Sequence, residues 1–270
     1  MGIRTQEHYS FRIFVSSATF AFKALFSWLS PQMWLMQVLA LPLFEMAFFV
    51  YLAKFVEPST ANIAYIAVGN AMQTASFSSI FAVANLTSEE KWQGTLIPLL
   101  ATPANRFPLF LGRATFQILN GVVTIAVGFT YATYVYGVDM SNTNFLALSL
   151  VIVITSLAMT GFGLMLGSVG LFMRTAMIIA NIFLFIGNLL CGVNFPVSVL
   201  PIWLQPFSYA IPMTYGTTAA RAAVQGSNLA QISPILVQEI ITGLASIAAG
   251  YLLFIGFERL AIKRGTLEAY

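Results

Sequence analysis

Long apolar stretches separated by short polar punctuation run through the chain, and their lengths decide the class of fold. Residues 33–55, 61–86, 107–136, 145–170, 176–193 and 232–257 are apolar runs near or above the roughly 20 residues that a helix needs to cross ~30 Å of hydrocarbon. Their boundaries carry breakers or charges: Ser30-Pro31 before the first run, Lys54 and Glu57 at its far end, a short turn over 137–144 after the third. The pattern predicts an all-α, polytopic membrane protein with six transmembrane helices.

Two segments depart from it. In 10–30, Phe11, Phe14, Val15, Ala18, Phe22, Leu25, Phe26 and Leu29 recur at i, i+3, i+4 and i+7, with Arg12, Ser16, Thr19, Lys23 and Ser27 opposite. That predicts an amphipathic helix lying among the headgroups. The alternative, a crossing helix, would bury Lys23 near its middle, at a cost. With Arg12 and Lys23 inside the first apolar stretch and no plausible cleavage site, no signal peptide is expected. Residues 194–231 are moderately apolar but broken by Pro196, Pro201, Pro206 and Pro212. Short helices dipping into one leaflet are predicted there, with protein satisfying the broken backbone and Trp203 and Tyr209 at interfacial depth.

The second run is rich in small and polar residues, namely Gly69, Asn70, Gln73, Thr74, Ser76, Ser78 and Ser79. Such a helix packs on other helices or faces a pathway; both readings stand.

Composition narrows the picture further. At 59% hydrophobic and 8% charged, the chain is far from the about 25% charged residues of a soluble domain. One membrane domain, 1–270, is expected. Arg4, Arg12, Lys23, Lys91, Arg106, Arg113, Arg174, Arg259, Lys263 and Arg264 fall on one side of the six-span arrangement, against Lys54 and Arg221 on the other. This bias places both termini in the cytoplasm and 194–231 outside, in a plasma membrane. Asp139 and Arg174 mark turns in that topology. A net charge of +3 from dispersed residues argues against a nucleic-acid partner.

Candidate chemistry is sparse. His8 and Cys191 are the only histidine and cysteine, so neither a metal site nor a Ser-His-Asp set is expected, and Cys191 reads as a packing residue. No lysine follows a glycine, so the chain has no phosphate-cradling Gly-x-x-x-x-Gly-Lys loop. Intramembrane carboxylates are costly and therefore informative. Glu45 lies near the middle of the first run, with Phe44, Phe48 and Tyr51 on or near its face. It contacts a cationic substrate, pairs with a basic neighbour, or is structural. Phe44, Glu45, Phe48 and Gln73 form the candidate substrate pathway. Glu239, about two turns into the last run, reaches the interface or Arg221 by snorkelling, or serves structure.

Between runs two and three, residues 87–106 read TSEEKWQGTLIPLLATPANR. Thr87 with Glu90 three residues on is a capping box, and the first-turn acids complement the helix dipole. Pro98 and Pro103 limit the helix to a few turns. A short rod joining two spans can seat in another subunit's groove and move both; a plain capped loop is the other reading.

Glu90-x-x-x-Gly94-Thr95-Leu96, followed by Leu99-Leu100-Ala101-Thr102-Pro103 and Arg106, resembles the coupling-helix region of ABC-2 type transporter permeases. Phe195-Pro196, Leu200-Pro201-x-Trp203-Leu204 and Pro212-Met213-Thr214 with Arg221 are similar to that family's external hairpin before the last span. The short permeases of drug-resistance and nodulation-type exporters are the members it most resembles. The resemblance implies that Glu89, Glu90, Trp92, Gly94, Thr95, Leu96, Leu99 and Arg106 contact a separate ABC ATPase. It also implies that ATP and Mg are bound by that partner with no cofactor on this chain, and that a second permease subunit, identical or homologous, completes the transporter. The expected cargo is a lipophilic, drug-like compound moved outward; a lipid-linked glycan or cell-envelope precursor is the alternative. From another class, an ion-coupled carrier would work through Glu45 and Glu239. Where the family commonly has an acid after Gly-Thr-Leu, this chain has Ile97 and Pro98. That departure leads us to expect two non-identical permease halves.

Overall fold

The computed structural model describes residues 15–17, 19, 30–58, 62–81, 106–169 and 176–264. The interfacial stretch 10–30 falls largely outside them; Val15, Ser16, Ser17 and Thr19 are helical, and the Thr19 hydroxyl donates to the Val15 carbonyl at 2.8 Å.

Among the described residues all regular structure is helical. The long elements are α1 (Pro31–Val56), α2 (Ile63–Ser76), α3 (Arg106–Tyr134), α4 (Phe145–Val169) and α5 (Ala176–Leu190). Beyond α5 come a 3-10 turn (Val197–Val199) and the short helices α6 (Gln205–Tyr209) and α7 (Pro212–Val224), then α8 (Leu229–Arg264). A π-helical turn, Phe77–Phe81, continues α2.

Helix starts follow local chemistry. Ser30 accepts from Met33 N at 3.3 Å ahead of Pro31, whose missing N–H costs nothing at a first position. Asn62 and Asn144 cap α2 and α4 by accepting from Tyr65 N at 2.9 Å and Ala147 N at 3.1 Å. Asn228 and Gln231 satisfy each other's backbone N–H at the head of α8. That helix starts earlier than the run at 232 and carries Pro234 inside it; the Ser233 hydroxyl donates to the Ala230 carbonyl at 3.0 Å, taking the bond that proline cannot make. After α5, Gly192 at φ +68° turns the chain in the left-handed region that suits glycine. In the turn after α3, Asp139 accepts from Ser141 N at 2.9 Å, and these Ser141 contacts hold its carboxyl below the usual range.

Among the described residues, four helical stretches are long and apolar enough to cross a membrane: Pro31–Val56, Ala114–Tyr134, Phe145–Val169 and Leu229–Phe257. The chain is a multi-pass membrane protein. The other two expected spans, 61–86 and 176–193, contain the shorter α2 and α5 within their described residues, and 82–86 of the first lies outside the described residues.

The helices pack around α2, in which every residue from Ile66 to Ser76 is buried. It contacts α1, α3 and α7, while α8 lies along α4. The proline-broken segment returns into the protein. On α7, Met213, Thr214, Gly216, Thr217, Ala219, Ala220 and Ala223 are buried against α2, α4 and α8. Its irregular backbone is satisfied from within: Thr214 donates to Ser208 O at 2.5 Å, Thr217 to Cys191 O at 3.2 Å, and Asn144 N to Ala223 O at 3.0 Å.

Candidate functional site

The polar column of α2 is the centre of the described structure. Its side chains return hydrogen bonds to their own helix or to close neighbours, which makes them affordable in a membrane interior. Thr74 donates to Ala71 O at 2.7 Å, and Ser76 donates to Gln73 Oε1 at 3.4 Å. Gln73 is 2% exposed and borders a crevice of about 10 Å³ with Ser76, Met159, Phe162, Phe183 and Cys191. That is space on the order of one water, not a substrate chamber.

At the end where α2 begins, three elements converge. The half-buried Arg221 guanidinium, on α7, donates through Nε and Nη2 to Tyr65 O at 3.3 and 3.1 Å, and through Nη2 to Val193 O at 2.7 Å. Its Cζ stacks 3.4 Å from the centre of the Tyr65 ring. Tyr65 Oη donates to Gly192 O at 3.0 Å, and Asn70 Nδ2 donates to Asn194 Oδ1 at 2.9 Å. Gly69 makes the approach possible: a Cβ there would overlap Val193 O and lie 2.5 Å from Arg221 Nη2.

The other end of α2 is tied to α3 and α4. The Ser78 and Thr124 hydroxyls are 3.3 Å apart, and Thr160 donates to Ser79 Oγ at 3.4 Å. Gly128 of α3 lies against Ala71, whose Cα would sit 2.9 Å from an added Cβ. The two helices that flank residues 82–105 are thus in direct contact. The proposed ATPase contacts Glu89, Glu90, Trp92, Gly94, Thr95, Leu96 and Leu99 lie outside the described residues; Arg106 is the first residue of α3. The π turn that leads into 82–105 carries no sequence signal beyond the serines, because it depends on how neighbouring helices fit.

The structure does not gather the candidate pathway residues into one surface. Phe44 and Phe48 are 71% and 63% exposed on the outward face of α1, together with Tyr51, whereas Val38, Pro42, Met46 and Val50 face inward. Glu45 stands at the margin of these faces, with one carboxyl oxygen buried and unpartnered. The crevice beside Gln73 is lined without any residue of α1.

Glu239 does not snorkel. It is completely buried, and its Oε1 accepts from Thr155 Oγ1 at 2.6 Å while Oε2 has no partner. Gly216 of α7 leaves room for the pair, since a Cβ there would lie 2.6 Å from Glu239 Oε1. Arg221 spends its hydrogen bonds on carbonyls instead. The signal available in sequence was an acid inside an apolar run; Thr155 and Gly216 are brought to it only by the fold. Glu239→Gln keeps the acceptor for Thr155 and is expected to leave thermal stability in detergent and transport within about twofold of wild type. Thr155→Val strips the carboxyl of its donor and should destabilise by about 1–3 kcal/mol in the same melt.

Among the described residues the site supplies hydroxyls, amides, carbonyls and one cation held by carbonyls, which tie the helices to one another. A segment of 131 residues, 48% of this chain, is 28% identical to the probable multidrug ABC transporter permease YbhR of Escherichia coli strain K12, and equally to that of Escherichia coli O157:H7. The matched segment amounts to 35% of the length of those relatives. The ABC-2 type transporter family matches residues 21–224, most of the chain. Most of its length, including α2 and the clamp around Arg221, therefore lies within this match, and the chain belongs to the ABC-2 type transporter family as a membrane permease.

Proposed function

We propose that this chain is one of two permease subunits of an exporter driven by separate ABC ATPases, and that it carries a lipophilic, drug-like cation outward across the plasma membrane. Both termini face the cytoplasm, which puts 82–105 on the side of the ATPase and the clamp around Arg221 outside. ATP and Mg belong to the partner. The second permease subunit, identical or homologous, faces this one across the route. The observation that carries the reading is the placement of α2: it leads into 82–105 at one end, is buried from Ile66 to Ser76, and meets Arg221 at the other. A displacement applied to 82–105 has a stiff rod to act on, with α3 moving beside it.

The cargo reading rests on Glu45. Its carboxyl stands at the margin of the α1 face that carries the outward Phe44 and Phe48, and a carboxyl near aromatic rings attracts amphipathic cations through charge and ring faces together. The relatives are probable multidrug permeases, which supports the same class. Inside-out vesicles holding the permease and its ATPase should accumulate a lipophilic cationic dye when given ATP and not when given ADP. Glu45→Gln should lower that uptake about tenfold while changing uptake of a neutral lipophilic dye less than twofold. Equal losses for both dyes would remove Glu45 from the cation's path; uptake driven by an ion gradient without ATP would overturn the class.

A further inference from the structure

We propose that Arg221 is the latch of an outer closure: a positioning residue that pins residues 191–193 to the first turn of α2 in the resting transporter and releases them when α2 is displaced. This inference rests on reading the chain as an ATP-driven permease and adds where the outer end of the route is controlled.

The contact has the composition of something that can open. Arg221 holds two carbonyls, Tyr65 O and Val193 O, and a ring face, and among the described residues no carboxylate takes part. Breaking it strands no buried anion, the feature that makes buried ion pairs costly to separate. The part it holds is irregular: residues 191–195 form bends, with Gly192 at φ +68°, and besides Arg221 they are tied by side-chain hydrogen bonds from Thr217 to Cys191 O, Tyr65 to Gly192 O and Asn70 to Asn194, the last two from α2 itself. The part it is held to is a rigid helix. Gly69 brings the two backbones together so closely that a turn of α2 about its axis, replacing Gly69 by its neighbours, cannot leave Val193 where it is. Asn70, one residue on, has its Oδ1 buried and unpartnered in the closed arrangement, so closure leaves one polar group unsatisfied and is not the final word in hydrogen bonding. Rotation or withdrawal of α2 therefore breaks the Arg221 fork and frees the bend.

Cys191 reports on this directly. It is the single cysteine of the chain, 1% exposed, at the head of the latched bend, and its carbonyl is held by Thr217. Right-side-out vesicles containing the complete permease–ATPase complex would be loaded with ATP or ADP and treated outside with a membrane-impermeant methanethiosulfonate, modification of Cys191 being followed by mass spectrometry. In wild type, labelling should be slow with ADP and at least about tenfold faster during ATP turnover. In Arg221→Gln, labelling with ADP should rise at least about tenfold. It should no longer depend on nucleotide, while ATP hydrolysis continues. Arg221→Lys, which keeps the charge without the fork, should fall between; it carries the same comparison should Arg221→Gln fail to accumulate. Slow labelling with ADP in both Arg221 variants overturns the latch. A normal response of those variants with no nucleotide dependence in wild type overturns the ATP-driven reading instead.

Discussion

Gly69→Ala is expected to cost about 3 kcal/mol or more, leaving little folded protein in the membrane and lowering the detergent melting temperature of what remains. The methyl group overlaps the Val193 carbonyl, a backbone atom that cannot give locally, and meets Arg221 Nη2 at 2.5 Å, the end of a side chain held by its bonds to Tyr65 O and Val193 O. Overpacking of this kind costs about 1–3 kcal/mol, and the hydrogen bonds of a displaced cation add about 1.5–3 kcal/mol each. Gly187→Ala is the matched control: its Cβ would meet only Cys191 Sγ, at 3.9 Å, an ordinary contact with the residue just past the end of α5. It should be neutral or slightly stabilising, since alanine is favoured over glycine in a helix. Equal behaviour of the two variants in a fluorescence-detected melt would show that α2 and the 191–195 bend are not in contact.

The second large effect is expected where α8 lies along α4. Lipid is as apolar as the side chains, so these helices associate through close packing and hydrogen bonds rather than hydrophobic expulsion. Small residues permit the approach: a Cβ on Gly243 would sit 2.8 Å from Ala158 Cβ, and one on Gly250 would sit 2.9 Å from Met165 Cα. Ser168 crosses the seam to donate to Gly250 O at 2.9 Å, and Thr155 crosses it to Glu239. Gly243→Val or Gly250→Val forces the axes apart and loosens both bonds, with an expected loss of roughly 3 kcal/mol each. Gly161→Ala meets the flexible Ile247 side chain and should cost less, while Gly256→Ala, with nothing within 4 Å, should be tolerated. Limited proteolysis of membranes would rank them; a Gly256 variant as sensitive as Gly250→Val would contradict the packing.

Much of this framework is legible in the chain, for physical reasons. Length and apolarity alone identify the run 33–55 against the observed Pro31–Val56 and 145–170 against Phe145–Val169. The amides and hydroxyls of α2 marked it as unfit for lipid, and its burial follows. Direction was harder to read. The first run is apolar nearly all round, so its sequence does not tell which side faces protein, and Phe44 and Phe48 prove to face out while Gln73 faces in. Arg221 read as a marker of sidedness; its role depends on Tyr65 and Val193, which only the folded chain brings to it. Glu239 showed its cost in the sequence but not its partner.

The central claim is that a separate ATPase drives this permease through residues 87–106. Its most direct test is ATP hydrolysis by the reconstituted complex carrying Glu90→Ala or Gly94→Leu. Both variants should insert and accumulate as wild type does, yet lose at least about tenfold of the permease-dependent stimulation of the ATPase. Full stimulation in both would place the motor's contact elsewhere on the chain.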